Sequence, residues 1–197
     1  MNLLAHAYLS FDNKQITAGN MISDYIKGKK QFDYPAEIQK GIRLHRMIDE
    51  FTDAHEVTAE AKKYLKPTAG LYSGAFVDIV YDHFLANNKI YWQQVTLQNF
   101  VQNTYAVLTE QAALLPEKFN QTMPYMLRDN WLYNYQFTWG IEKSFNGIVY
   151  RAKFISDATP VFEAFIENYD ALKNLSAQFL PQVKNYAFTQ LNNLLKS

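Results

Sequence analysis

The chain has no cysteine in its 197 residues. That removes disulfide staples, thiol nucleophiles and thiolate metal sites together, and leaves His, Asp and Glu as the ligand repertoire. No uncharged apolar run reaches the ~18 residues that a membrane span needs. The amino-terminal "MNLLAHAYLS" lacks the basic start of a secretory signal. A cytoplasmic protein without a membrane partner is the expectation. Neither sign of charge is in excess, with 19 Lys plus Arg against 19 Asp plus Glu. Nothing therefore draws the whole molecule toward nucleic acid, and a charged partner must be met by a local patch. Phosphate-binding Gly-rich loops, GxSxG, HExxH and GxGxxG are all missing.

Glycine and proline are scarce, at 7 and 6 residues, strand-like alternation is rare, and the apolar spacing is mostly helical. These features predict one all-α domain, a multi-helix bundle spanning residues 1–197. Hydrophobic residues make up 48% of the chain, with 14 Tyr and 14 Phe as bulky packing material for its core. Helices are expected over Asn2 to Ser10, over "ITAGNMISDYIKG", from Pro35 to Thr52, over Val57 to Leu65, and over a central stretch ending at "ANN". Beyond it the spacing predicts helices over Leu97 to Leu115, Met123 to Gln136, Trp139 to Phe154, Val161 to Leu175, and Gln182 to Leu195. "KGKKQFDY" and "KPTAGLYSG" read as loops, and Pro124 and Pro181 as helix starts or breaks.

The central stretch "FVDIVYDHFLA" poses a problem of burial. Its apolar residues surround nearly the whole helix circumference, which places it in a core, yet it carries Asp78, Asp82 and His83. Buried carboxylates cost several kcal/mol each unless compensated. Either they are neutralised structurally or they hold a cation. All four histidines fall within the first 83 residues, so the chemistry is expected in the amino-terminal half, about residues 1–90.

On "GIRLHRMIDEFTDAH", His45 and Asp49 sit at the edge of an apolar stripe, where a helix faces the seam with its neighbours. Alone, they read equally as an i,i+4 pair on a surface helix, worth a few tenths of a kcal/mol. Asn20 and Asp24, opposite Met21, Ile22, Tyr25 and Ile26, read by themselves as a solvated face. His6 reads as a hydrogen-bonded core histidine. Together these groups suit a divalent-metal site projected inward from several helices. A cation would relieve the repulsion of close carboxylates and acidify bound water.

The segments "MNLLAHAYLS", "GNMISDYIKG", "GIRLHRMIDEFTDAH" and "VDIVYDHFLA" resemble the acyl carrier protein phosphodiesterase family. Weaker likeness continues through "WLYNYQFTWGIEKSFNGIVYRA". The resemblance implies an all-helical fold related to the HD-domain metal phosphohydrolases. It also implies a bacterial cytoplasmic enzyme that uses Mn²⁺ or Mg²⁺, with Fe²⁺ compatible. The substrate would be holo-acyl carrier protein, cleaved at the phosphodiester between 4′-phosphopantetheine and its serine. Carried over by position, Asp24, His45, Asp82 and His83 become the metal candidates. Asn20 and Asp78 become ligands or supports of ligands. His6 and Asp49 are the further site candidates with catalytic roles, His6 or His55 supplying a proton to the departing serine oxygen. Lys27, Lys29, Lys30, Arg43 and Arg46 become candidates for phosphate or carrier-protein contact. Two other readings remain: an HD-type phosphohydrolase acting on a nucleotide or other small phosphoester, and a non-catalytic helical interaction protein.

Overall fold

A computed structural model describes residues 1–196. Its α-helices are α1 (Leu3–Tyr8), α2 (Lys14–Ile22), α3 (Ala36–Ala54), α4 (Glu56–Ala69), α5 (Ser73–Asn87) and α6 (Leu97–Glu110), then α7 (Glu117–Arg128), α8 (Trp131–Asn134), α9 (Thr138–Arg151), α10 (Thr159–Glu167) and α11 (Tyr169–Lys196). No strand occurs among the described residues. The chain is one all-α, multi-helix domain, as its apolar spacing predicts.

The central helix is α5. From Phe76 to Ala86 only Asp78 escapes full burial, and α1, α4, α9 and α11 pack around it. Its aromatic residues reach three neighbours: Phe76 meets Phe145 of α9 edge-on, Tyr81 stacks on Phe179 of α11, and Phe84 meets Phe165 of α10. Such rings bury large areas and fix the angles at which the surrounding helices settle.

Several ends differ from the sequence expectation, each for a local reason. "KPTAGLYSG" is mostly not loop: α4 continues through Pro67 to Ala69 and stops only at Gly70, whose φ of +55° favours glycine. Likewise, "KGKKQFDY" contains a 3₁₀ helix, Gly28–Asp33. Pro124 lies inside α7 and Pro181 inside α11, so neither starts or breaks a helix. An interior proline costs about 3 kcal/mol. In α11 that cost is offset by a core stripe on both sides of Pro181, with Phe179, Leu180, Val183, Ala187 and Leu191 all buried. The expected break between residues 175 and 182 is absent, and the break between the last two helices lies earlier, at Asn168.

The approach of α2 to α3 sets up the site. Gly19 and Gly41 face each other at the crossing. A Cβ on Gly41 would lie 2.5 Å from the Ile16 carbonyl oxygen and 2.9 Å from the Gly19 Cα. A Cβ on Gly19 would overlap the Ile38 carbonyl oxygen. These obstacles are backbone and cannot swing aside. Gly41→Ala is therefore expected to destabilise by about 1–3 kcal/mol as overpacking, although alanine is the better helix former by about 1 kcal/mol. Urea unfolding followed by circular dichroism reads it; a midpoint at or above wild type would refute the tight crossing.

Candidate metal centre

The second helix ends at Ile22 and gives way to a 3₁₀ turn, Ser23–Tyr25. That break changes what Asn20 and Asp24 can do. Asn20 stays in the helix and is fully buried, while Asp24 turns out to the protein's edge with its side chain 79% exposed. The solvated-face reading of Asn20 is corrected: α2 is buried from Ile16 through Ile22 because α1, α3 and α6 cover it.

Asn20 orients two histidines. Its side-chain NH₂ donates to the His6 carbonyl at 2.9 Å and to Ser10 Oγ at 3.0 Å. Its Oδ1 therefore faces His6 Nδ1, at 2.7 Å. Its main-chain oxygen lies 2.7 Å from His45 Nδ1. An oxygen of either kind only accepts, so both rings carry hydrogen on Nδ1 and turn Nε2 the other way. The rings stack 3.8 Å apart at 15°. Both Nε2 atoms are buried and lack a hydrogen-bond partner of good geometry.

What those two nitrogens face is acidic. Asp49 Oδ1 lies 3.2 Å from His6 Nε2, and Asp49 Oδ2 lies 3.0 Å from His45 Nε2. Asp24 Oδ1 lies 3.3 Å from His45 Nε2. Ligand atoms of His6, His45 and Asp49 lie within 4.8 Å of one another. The spacing suits a single divalent cation, and histidine with carboxylate is a suitable donor set. Locking each Nδ1–H on an oxygen is the outer support that metal-binding histidines ordinarily have. His45 is thus no surface pair member; it is 5% exposed.

Electrostatics without a cation point the same way. Burial and the neighbouring His45 charge push His6 down to about 4. Burial also opposes the charge on His45, but the close carboxylates of Asp24 and Asp49 outweigh it and raise that ring to about 9. The charged form is thus disfavoured at His6 and favoured at His45, the ring that lies beside two carboxylates. Asp49 is disfavoured as an anion by burial, yet its contacts to His45 and His6 hold it well below the usual carboxylate range. The cluster strongly favours one positive charge at its centre.

Asp82 and His83, expected as ligands, do not share in the convergence. Asp82 accepts the Leu4 N–H at 2.8 Å and the Ala5 N–H at 3.1 Å. Asn2, the residue at the cap of α1, makes no side-chain cap bond, so Asp82 caps that helix from α5. Both of its oxygens are thereby used. His83 lies 2.7 Å from the Tyr135 carbonyl through Nδ1 and 2.8 Å from Tyr169 Oη through Nε2. It donates to the first and accepts from the second, tying α5 to the regions of α8 and α11. Asp78 Oδ1 is 3.1 Å from the Met1 amino nitrogen, which also reaches Asp49 Oδ1 at 3.3 Å.

Other candidates settle elsewhere. His55 Nδ1 accepts the Val57 N–H and caps α4, and its Nε2 is 3.2 Å from Gln182 Oε1. That removes it from the expected role of proton donor. Arg46 donates to Gln31 Oε1 and to the Ile26 carbonyl, pinning the Gly28–Asp33 segment to α3. Lys27, Lys29, Lys30 and Arg43 are exposed and do not line the cavity over the cluster. That cavity holds about 610 Å³ and includes His6, Asn20, Asp24 and His45. Its other walls come from residues 119–151, where Lys143 and Arg151 supply the cationic groups. These, with Gly19 and Gly41, escaped the sequence reading. The glycines stand in the quoted segments, but only the helix crossing gives them meaning.

A family model described as acyl carrier protein phosphodiesterase matches residues 1–183. Proteins named acyl carrier protein phosphodiesterase from Yersinia pestis and from Klebsiella pneumoniae (strain 342) are each 29% identical over 191 residues. The alignment covers 95% of this chain and 97% of each relative. One so named from Pectobacterium atrosepticum is 28% identical over 194 residues, covering 96% of this chain and 99% of its own. No solved structure matches the chain significantly.

Proposed function

This chain belongs to the acyl carrier protein phosphodiesterase family, and we propose that it is a metal-dependent phosphodiesterase that removes 4′-phosphopantetheine from holo-acyl carrier protein. The observation that carries the metal centre is the pair of buried, unpartnered Nε2 atoms of His6 and His45 turned toward Asp49. His6, His45 and Asp49 would hold the cation, with Asp24 on the open side. These assignments move His6 and Asp49 from catalytic candidates to ligands. Mn²⁺, Mg²⁺ or Fe²⁺, when bound, supplies polarisation of a phosphoryl oxygen and a bound water of lowered pKa.

The chain's own residues do the rest. Asn20 holds both imidazoles in the tautomer that presents Nε2. Stacking of the two rings and the short Gly19–Gly41 crossing fix their separation. Lys143 and Arg151 at the cavity would draw in an anionic substrate, and such attraction acts mainly on encounter and weakens with salt. In the reaction, a water oxygen bonds to phosphorus, the bond from phosphorus to the serine oxygen breaks, and a proton ends on that oxygen. Apo-carrier protein and phosphopantetheine are the products.

Histidine and aspartate ligands drawn from α1, the Ser23–Tyr25 turn and α3 are in keeping with kinship to the HD-domain phosphohydrolases. No helix among the described residues is long and apolar enough to cross a membrane. The test is to incubate metal-loaded protein with holo-carrier protein and weigh the carrier. Loss of one phosphopantetheinyl group, the mass of phosphopantetheine less one water, is expected. No loss across Mn²⁺, Mg²⁺ and Fe²⁺ overturns the reading, and turnover of a small phosphodiester alone would favour an HD-type enzyme of another substrate.

A further inference from the structure

The cavity over the cluster extends well beyond what a phosphate group needs. Its volume, about 610 Å³, falls within the range of sites that enclose whole ligands, roughly 300–1,000 Å³. One wall is a single stripe of α9: Gly140, Lys143, Ser144, Gly147 and Arg151 all line it, at the spacing of one helix face. From Gly140 to Arg151 the stripe runs about 16 Å.

Gly147 has no structural explanation within the fold. Its backbone is not in the left-handed region, and it lies inside a helix, where glycine is unfavourable. A Cβ there would meet nothing within 4 Å. The contrast with its neighbour is sharp. Gly140 must be glycine, because a Cβ there would overlap the Asn134 carbonyl oxygen. Gly19 and Gly41 are likewise required by their helix crossing. At Gly147 the missing side chain only keeps open space open, and that space is the cavity.

A second feature says that a ligand belongs at this end. His6 and His45, 2% and 5% exposed, line the cavity, and their buried Nε2 atoms, turned toward Asp49, have no hydrogen-bond partner of good geometry. Around the stripe, Trp131, Trp139, Met123 and Met126 give apolar and adaptable walls. Ser144 and Tyr135 add hydroxyl groups beside them. Walls that mix these apolar groups with hydroxyls and the side-chain amides of Asn2 and Asn134 suit a thin chain carrying amides and a branched hydrocarbon segment. The phosphopantetheine arm is such a chain, with about 15 Å between phosphate and thiol at extended backbone spacing.

We propose that the groove along α9, opened by Gly147, seats the 4′-phosphopantetheine arm itself, so that the carrier protein stays outside at the rim. This inference rests on the functional reading above, and adds which half of the substrate the cavity encloses. The arm lies across Gly147 with its phosphate at the His6, His45 and Asp49 end. Specificity for the substrate thereby comes from the prosthetic group as well as from the protein that bears it.

Free 4′-phosphopantetheine titrated into metal-loaded protein, followed by the fluorescence of Trp131 and Trp139, tests the placement directly. Wild type is expected to bind it with a change in emission. Gly147→Leu should weaken that binding at least tenfold and raise KM for holo-carrier protein more than it lowers kcat. Metal content and affinity for inorganic phosphate, a probe of the metal end only, should stay at the wild-type level. Gly147→Ala guards against a folding artefact: it should raise Tm by about 2–4 °C, since it improves the helix and meets no clash. Unimpaired binding of the arm by Gly147→Leu overturns this inference while leaving the functional reading in place. The functional reading fails separately, if wild type removes no mass from the carrier protein.

Discussion

Asp49→Ala is expected to abolish divalent-metal binding and with it turnover of holo-carrier protein, by at least about 100-fold. Even partners behind a metal ligand cost about 10–100-fold when removed, and Asp49 is more central than that. It is the group that spans both unpartnered nitrogens, Oδ1 toward His6 and Oδ2 toward His45. Its loss leaves two imidazoles and an exposed aspartate, a set with neither the charge nor the geometry to hold a cation. The fold should survive, because Asp49 is only partly buried and the Met1 amino group that it meets before α1 keeps its second partner, Asp78.

The loss can be read without activity. A ligand at 100 times its Kd stabilises a protein by about 2.7 kcal/mol, which for a chain of this size corresponds to about 5–10 °C in Tm. Wild type should show that rise on adding Mn²⁺ and lose it in chelator, and Asp49→Ala should show no rise at all. A metal-dependent rise in Asp49→Ala as large as in wild type would remove Asp49 from the centre.

The helical architecture was legible because periodicity, with few glycines and prolines to interrupt it, survives any error in the ends. The ends were less so. Pro181 reads as a break, but whether a helix runs through a proline depends on how much core its two halves share. The site was half legible for a related reason. A helical wheel shows one apolar face and treats the remainder as wet, so Asn20 looked solvated, whereas α1, α3 and α6 bury α2 from all sides. His45 and Asp49 were visible as imidazole and carboxylate at helical spacing and His6 as a lone polar residue on an apolar helix, while Asp24 stood out only through the family resemblance. Gly147, Lys143 and Arg151 carry no signal of their own. They matter only because α9 folds back over a cluster a hundred residues earlier in the chain.

The burial problem of α5 resolves toward structural compensation, and Asp82 carries the largest stability prediction. Asp82→Ala leaves the Leu4 and Ala5 N–H groups buried and unpaired, at about 1–3 kcal/mol each. A total of about 2–6 kcal/mol is expected, read from chemical denaturation. Asp82→Asn, which keeps an acceptor, should lose less. A pH dependence goes with it. Burial raises the Asp82 carboxyl to about 7, against the opposing bonds from Leu4 and Ala5. A carboxyl held above its unfolded value gives a contribution that is complete below about pH 4. That contribution is lost as pH rises through 7. This part of the wild-type slope should vanish in Asp82→Asn; a slope identical in the two proteins would count against the assignment. Because α1 bears His6, loosening its capped end also blurs one ligand of the metal centre without removing any. Asp82→Ala should therefore bind Mn²⁺ more weakly, yet regain part of its lost stability when Mn²⁺ is in excess. Asp49→Ala, with its ligand gone, should regain none, and that difference separates a residue that positions the centre from one that forms it.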